Sequence, residues 1–172
     1  MKNRVIPGNT EQVLGKDAFI VSKSDLQGKV TYCNRTLMQI SGYSEPELLN
    51  HQHNILRHPD MPRAIFHLMW DTIQSGKECF AYVKNLCKNG DYYWVFANVS
   101  PDFDSAGNIA GYFSVRRNAR PDAIQIIAPL YADMLAAENA SAGNEAIAAG
   151  SEVLNHHLKS GKQDYESFIL SI

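Results

Sequence analysis

The sequence predicts an α+β fold, with a five-stranded antiparallel sheet, short helices on one face of the sheet, and a C-terminal helical tail. Three observations lead to this prediction. Two short strand patterns come first, several short helical patterns follow, and three longer strand patterns with tight turns come next. Turns this short cannot hold parallel crossovers, so the last three strands must pair antiparallel. Beyond residue 120 the chain is rich in alanine, which favours helices.

Local signals place the first elements. A hairpin is predicted from strand patterns at 18–22 and 30–33 and from the turn at 24–29 between them. Asn34 stands where a helix N-cap is expected, and Gly42 supplies the end of that helix. Ser44 and Glu47 fit a capping box for one further helical turn over 45–50.

The most regular helical pattern begins at Pro62, because proline is favoured at the first helical position, and it ends before Gly76. The remaining strands are predicted at 79–87, 92–101 and 109–117. Asn89-Gly90 joins the first two of them and is a strong local signal for a hairpin.

The register of this hairpin decides what faces Asn85. A two-residue turn places Asn85 opposite Trp94, whereas a three-residue turn with a glycine bulge places it opposite Val95, and we favour the second. It gathers small residues around a possible cavity, namely Val83, Asn85, Val95, Ala97 and Val99. The other face is crowded by Phe80, Tyr82, Leu86, Trp94 and Phe96. We expect the tail or a second copy of the chain to cover that crowded face.

These patterns divide the chain into an N-terminal cap at 1–17, a main domain at 18–120 and a helical tail at 121–172. The formal net charge of −2, without long runs of one sign, argues against nucleic acid as a partner. We find neither an apolar secretion signal nor a window of roughly 20 apolar residues, so we expect a cytoplasmic protein without membrane insertion.

Two further classes have little support in the sequence. The three cysteines form no CxxC pair, which argues against a disulfide framework or a structural zinc site. Signatures of catalytic triads, nucleotide loops and HExxH metal sites are also missing, so we do not expect an enzyme.

Four parts of the sequence resemble the PAS sensory domains, and among them the flavin-binding type found at the front of bacterial aerotaxis receptors. They are 30–34 with 40–43, 53–62, 69–70, and 84–85 with 88–95. The most selective is the run Arg57-His58-Pro59-Asp60-Met61-Pro62. The resemblance covers roughly residues 18–120. It implies a PAS sensor module that binds FAD, reports redox state or oxygen, forms a homodimer, and signals to a partner such as a chemoreceptor or a histidine kinase.

The loop at 57–62 also suits an anion on chemical grounds. Arg57 offers a fork of donors for phosphate, His58 offers a further donor, and the amides before Pro62 point from a helix N-terminus toward any anion placed there. Together they could hold the diphosphate of a cofactor, with Asp60 orienting Arg57 or accepting from a ribose or adenine. The simpler alternative is that Asp60 caps the helix and pairs with Arg57, while His58 lies at the surface.

Asn85 is the second informative position, because a carboxamide buried in an apolar strand must find partners. The resemblance implies that it hydrogen-bonds the pyrimidine ring of the flavin, and the alternative is an asparagine satisfied by backbone at a bulge. The resemblance also adds Asn34, His53 and Trp70 to the cofactor-binding residues. The chain has Cys79-Phe80 where many relatives carry tryptophan, and Phe80 substitutes only if it turns inward.

Two other functions remain open at this stage. Haem could occupy the same cavity with a histidine as axial ligand, and the candidates are His51, His53, His58 and His67. Alternatively, the fold could be a cofactor-free adaptor for protein interactions, with its pocket filled by its own side chains or by a small metabolite.

Overall fold

The structure is a computed structural model that describes residues 5–143 and 145–172, so the first four residues of the predicted cap lie outside the described residues. Its sheet has five strands: β1 (Ile20–Ser24), β2 (Val30–Cys33), β3 (Cys79–Leu86), β4 (Tyr92–Phe103) and β5 (Ile109–Asn118). Their spatial order is β2-β1-β5-β4-β3, and all neighbours pair antiparallel. The predicted five-stranded antiparallel sheet is therefore confirmed.

Short helices connect β2 to β3, and three helices follow the sheet. They are α1 (Arg35–Ser41), α2 (Glu45–Leu48), a 3₁₀ turn (His53–Leu56), α3 (Arg63–Gln74), α4 (Pro121–Ala140), α5 (Glu145–Gly161) and α6 (Tyr165–Ser171). The Asn34 side chain accepts from the Leu37 amide and caps α1, as predicted. Pro62 is the N-cap of α3 rather than its first helical residue. Ile65 and Ile73 of α3 are buried, as expected for the apolar side of an amphipathic helix.

The β3–β4 hairpin has a different register from the predicted one, because Asn85 pairs with Tyr93 and not with Val95. The three-residue loop is 88–90, closed by a hydrogen bond of 2.7 Å from the Cys87 amide to the Asp91 carbonyl. Gly90 ends this loop with a φ of 97°, a left-handed conformation that favours glycine. A shift of two positions preserves the alternation of side chains, so the predicted small-residue face survives the error.

The tail helices cover the crowded face of β3 and β4. The Tyr131 ring of α4 stacks on Trp94 with 6.4 Å between centroids, and its hydroxyl donates to the Tyr82 carbonyl at 2.9 Å. The Tyr82 hydroxyl donates in turn to the Ile172 carbonyl at 3.1 Å. Phe80 stacks on Phe96 on this same face, so it does not turn inward.

Candidate cofactor site

A cavity of about 390 Å³ lies between α3 and the face of the sheet that carries small residues. This volume falls in the roughly 300–1,000 Å³ range of small-molecule pockets. The wall formed by β3 and β4 consists of Val83, Asn85, Ala97 and Val99, and the opposite wall contributes Phe66, Met69, Trp70 and Ile73 of α3. Because the strand residues are short, the large side chains of α3 do not fill the space between the layers.

Arg116 of β5 gives the cavity a buried positive charge. Its side chain is 3% exposed. Its Nε donates to the Ser114 hydroxyl at 3.0 Å, and its Nη2 donates to the Ser22 hydroxyl and to His53 Nε2. Within 5–143 and 145–172 its Nη1 has no hydrogen-bond partner. Burial lowers the pKa of the Arg116 guanidinium, because a charge is costly to remove from water.

His53 is held neutral next to this guanidinium. Burial, and to a smaller extent the positive charge of Arg116, lower the pKa of His53 to about 3. Since Nε2 accepts the hydrogen bond of 3.0 Å from Arg116, the ring proton resides on Nδ1. In this pair, Arg116 is therefore charged and His53 is neutral.

Asn85 supplies a second unpaired donor. The residue is 5% exposed and lines the cavity, and its Nδ2 has no partner within the part of the chain that the structure describes. Its backbone bridges to Arg57, which ties the loop before α3 to the edge of the sheet. A buried N–H group without a partner costs free energy, so this donor and that of Arg116 point to an acceptor in the cavity.

Arg57 lines the cavity at the end that lies next to the start of α3. Its Nη2 donates to the Met61 carbonyl at 2.9 Å, and its guanidinium lies 4.5 Å from the centroid of the Phe66 ring. Burial lowers the pKa of Arg57, while the Glu138 carboxylate acts in the opposite direction. The hydrogen bond to Met61 uses one of five guanidinium N–H groups, so the side chain keeps further donor capacity.

Asp60 and His58 lie outside the lining residues of this cavity, and two of the sequence alternatives for them are wrong. Asp60 accepts from Lys84 Nζ at 2.6 Å instead of pairing with Arg57, because Lys84 of β3 lies beside the loop. His58 is 2% exposed and not at the surface, and its Nδ1 accepts from the Asp60 amide at 3.1 Å. Burial and the charge of Lys84 lower the pKa of His58 to about 4.

The N-terminus of α3 already holds an anion from the chain itself. The amides of Arg63 and Ala64 donate to the two carboxylate oxygens of Glu138 in α4, at 2.9 and 2.8 Å. Glu138 therefore occupies the anion position at the first helical amides of α3, which follow Pro62, whereas the sequence pointed to the amides before Pro62. Sequence reasoning missed this contact because Glu138 lies about 75 residues further along the chain.

Some of the other predicted site residues line the cavity, and the rest lie outside it. Trp70 lines the cavity and packs edge-on against Tyr112, with 5.2 Å between centroids. Asn34 does not line it, since its side chain accepts from the Val21 amide and donates to the Phe19 carbonyl. Of the four candidate haem ligands, His53 and His67 line the cavity.

Sequence reasoning also missed Arg116, with Ser22 and Ser114 beside it. The signal that could have found them is the alternation along β5, in which Tyr112, Ser114 and Arg116 all face one side. Once β5 is known to lie in the centre of the sheet, an arginine at an inward position requires a functional explanation.

A five-stranded antiparallel sheet covered by short helices, with a ligand-sized cavity between the two layers, defines the fold class of this chain. A family profile described as the PAS fold matches residues 30–116, which is just over half of the chain, and the chain belongs to this family. The sequence-based identification is therefore confirmed.

Two relatives show which proteins this chain is similar to. The chain is 45% identical over 118 residues to the aerotaxis receptor of Escherichia coli, covering 69% of this chain and 23% of the receptor. It is 25% identical over 112 residues to the nitrogen fixation regulatory protein of Klebsiella pneumoniae, covering 65% of this chain and 23% of that protein. The matched region thus spans about a quarter of each of these relatives.

Solved structures share the fold. The dark structure of the blue-light photoreceptor Aureochrome1 LOV has a TM-score of 0.57 at 21% identity, covering 64% of this chain and 81% of that chain. The PAS domain of a protein from Colwellia psychrerythraea has a TM-score of 0.54 at 19% identity, covering 59% and 86%. No helix within 5–143 and 145–172 is long and apolar enough to cross a membrane.

Proposed function

We propose that this chain is a non-catalytic sensor module of the cytoplasm that binds FAD in the cavity between α3 and the sheet. In this proposal, the cofactor supplies redox chemistry, and the protein passes its redox state, or oxygen through it, to a signalling partner such as a chemoreceptor or a histidine kinase. The relatives that match the chain are a receptor and a regulatory protein, which supports a role in signalling.

One observation carries the choice of a flavin. Asn85 and Arg116 each carry a buried N–H group without a partner among residues 5–143 and 145–172, and both residues line one cavity. The opposite wall is apolar and includes Trp70 and Met69. The isoalloxazine ring combines a polar edge rich in acceptors with an apolar edge, so it meets both requirements at once.

The remaining site residues divide into two roles in this proposal. Arg57 binds a phosphate of the cofactor with the donors that Met61 does not use, and His53 keeps Arg116 oriented toward the ring. Asp60, His58 and Asn34 do not contact the cofactor in this proposal. They position the loop and the strands that form the walls of the cavity.

The experiment is to purify the protein after FAD supplementation, record its absorption spectrum, and identify the released ligand by mass spectrometry. We expect a flavin spectrum and the mass of FAD. Arg57→Ala should weaken flavin binding roughly tenfold or more, because it removes a charge-assisted contact. Asp60→Ala should weaken flavin binding less than Arg57→Ala does.

Three results would contradict the proposal. A Soret band that a substitution of His53 or His67 abolishes would identify haem instead of flavin. A colourless protein that gains no ligand from FAD would favour the adaptor function. Arg57→Ala with unchanged FAD affinity would show that the loop at 57–62 does not bind the cofactor.

A further inference from the structure

The tail closes one end of the cavity. Ile147 of α5 is a lining residue, together with Arg57 and Phe66 from the main domain. The pocket is therefore completed by a helix that the sequence places in the tail. Any ligand group that extends past Arg57 meets α5, unless that helix moves.

Glu138 fastens the tail at this same end. Its side chain is 4% exposed, although an isolated carboxylate is rarely buried. It accepts from the Arg63 and Ala64 amides at 2.9 and 2.8 Å, and these are N–H groups that a helix leaves without internal partners. The hydrogen bond from Arg57 to the Met61 carbonyl places this contact beside the Arg57 end of the cavity.

The tail and α3 pack so closely at Gly150 that no additional atom fits between them. A Cβ atom added to Gly150 of α5 would lie 2.6 Å from Glu138 Oε1 and 3.2 Å from the Ala64 Cβ. Both distances are shorter than ordinary van der Waals contact, so only glycine permits this approach of α5 to α3. Glu138 and Gly150 together define a latch between the tail and the helix that covers the cavity.

We propose that α4 and α5 form a gate on the cavity, held closed by Glu138, and that the diphosphate of a bound flavin dinucleotide displaces this carboxylate and opens the gate. This inference rests on the proposed function. The amides of Arg63 and Ala64 accommodate one anion at a time, so a diphosphate at α3 and a docked Glu138 exclude each other. Cofactor occupancy thereby changes the position of the tail, which is a signal that a partner protein can detect.

Two flavins separate the gate from simple binding. FAD carries the diphosphate, whereas riboflavin has the same ring and no phosphate. In hydrogen–deuterium exchange, FAD should raise deuterium uptake in α4 and α5 above that of the ligand-free protein, whereas the first turn of α3 should stay protected because the diphosphate replaces Glu138 as acceptor. Riboflavin should leave uptake in these segments at the ligand-free level. Equal effects of the two flavins would overturn the gate.

Two variants should open the latch by different means. Glu138→Gln removes the negative charge, and Gly150→Ala adds the methyl group for which the structure has no space. Each should tighten FAD binding roughly tenfold, because closing the gate no longer competes with the diphosphate. Riboflavin affinity should remain within twofold of the parent protein. FAD affinity that stays unchanged in both variants would overturn the proposal.

The chain offers a matched control for each variant. Glu152→Gln removes the same charge from an exposed position of α5. Gly161→Ala adds the same methyl group to α5, where it meets only the flexible Gln163 side chain. Neither control should change FAD affinity. Failure of every form, including the parent protein, to bind either flavin would overturn the proposed function and the gate together, whereas normal flavin binding without the FAD-specific effects would overturn the gate alone.

Discussion

On one face of the β3–β4 hairpin, short side chains leave a cavity, whereas on the other face aromatic rings pack closely beneath the tail. Ala81 pairs with Ala97 on the cavity face, and the neighbouring pair Tyr82 and Phe96 lies on the opposite face, with 4.8 Å between ring centroids. One pair of strands thus provides both environments, because successive side chains point to opposite sides of a sheet.

The difference between the faces separates ligand binding from stability. The aromatic face buries large apolar side chains and contributes mainly to the free energy of folding. The cavity face contains unpaired donors and a buried guanidinium, which cost free energy unless a ligand compensates them. Substitutions on the two faces should therefore have different consequences.

The largest expected effect is on the aromatic face. Trp94→Ala removes a buried ring that stacks on Tyr131, and it should lower the free energy of unfolding by about 3–5 kcal/mol. Val99→Ala, on the cavity wall, should lower it by less than about 1.5 kcal/mol, because this side chain already borders empty space. Chemical denaturation of both variants in the ligand-free state measures the difference, and losses of equal size would refute the division between the faces.

The composition of each face was predictable from the sequence, but the register was not. The Asn89-Gly90 signal correctly indicated a hairpin, and the pattern of small residues correctly favoured a three-residue loop, yet the loop starts at Lys88, one residue earlier than the preferred register implies. Both three-residue loops preserve the alternation of side chains, so the two faces were assigned correctly although Asn85 has a different partner.

The cavity wall was predictable only where its residues lie close together in the sequence or belong to a recognisable motif. Arg57 and Asn85 were found in this way, and both line the cavity. The contacts of Arg116 with Ser22 and His53 join residues 94 and 63 positions apart, and local patterns carry no information about such distances. Glu138 was missed for the same physical reason, because its partners become neighbours only after the tail has docked.

The pH dependence of stability should originate in part at the cavity, where His53 is held neutral. The pKa of His53 is about 3 in the folded protein and about 6.5 in the unfolded chain, so the unfolded chain binds more protons between these values. The contribution of His53 is complete above about pH 6.5 and is lost as the pH falls toward 3. His53→Gln should reduce the slope of unfolding free energy against pH by about 1.4 kcal/mol per pH unit.

Denaturation of the ligand-free protein at several values between pH 6 and pH 4 measures this slope. The low pKa of His58 acts in the same direction and remains in both proteins, so the difference between parent and variant isolates His53. A variant with the parental slope would show that His53 is not held neutral in the folded state.

The smallest expected effect tests the unpaired donor of Asn85. Asn85→Leu removes a buried N–H group that has no partner within 5–143 and 145–172, so the ligand-free domain should gain about 1 kcal/mol of stability. The same variant should bind flavin roughly tenfold more weakly, because the acceptors of the ring lose this donor.

Asn98→Leu is the control, since Asn98 donates to Glu78 at 2.8 Å and does not line the cavity. It should neither stabilise the domain nor change flavin affinity. A loss of stability in Asn85→Leu would mean that the amide already has an adequate partner, whereas a gain coupled to weaker binding would show that the cavity face gives up stability for its ligand.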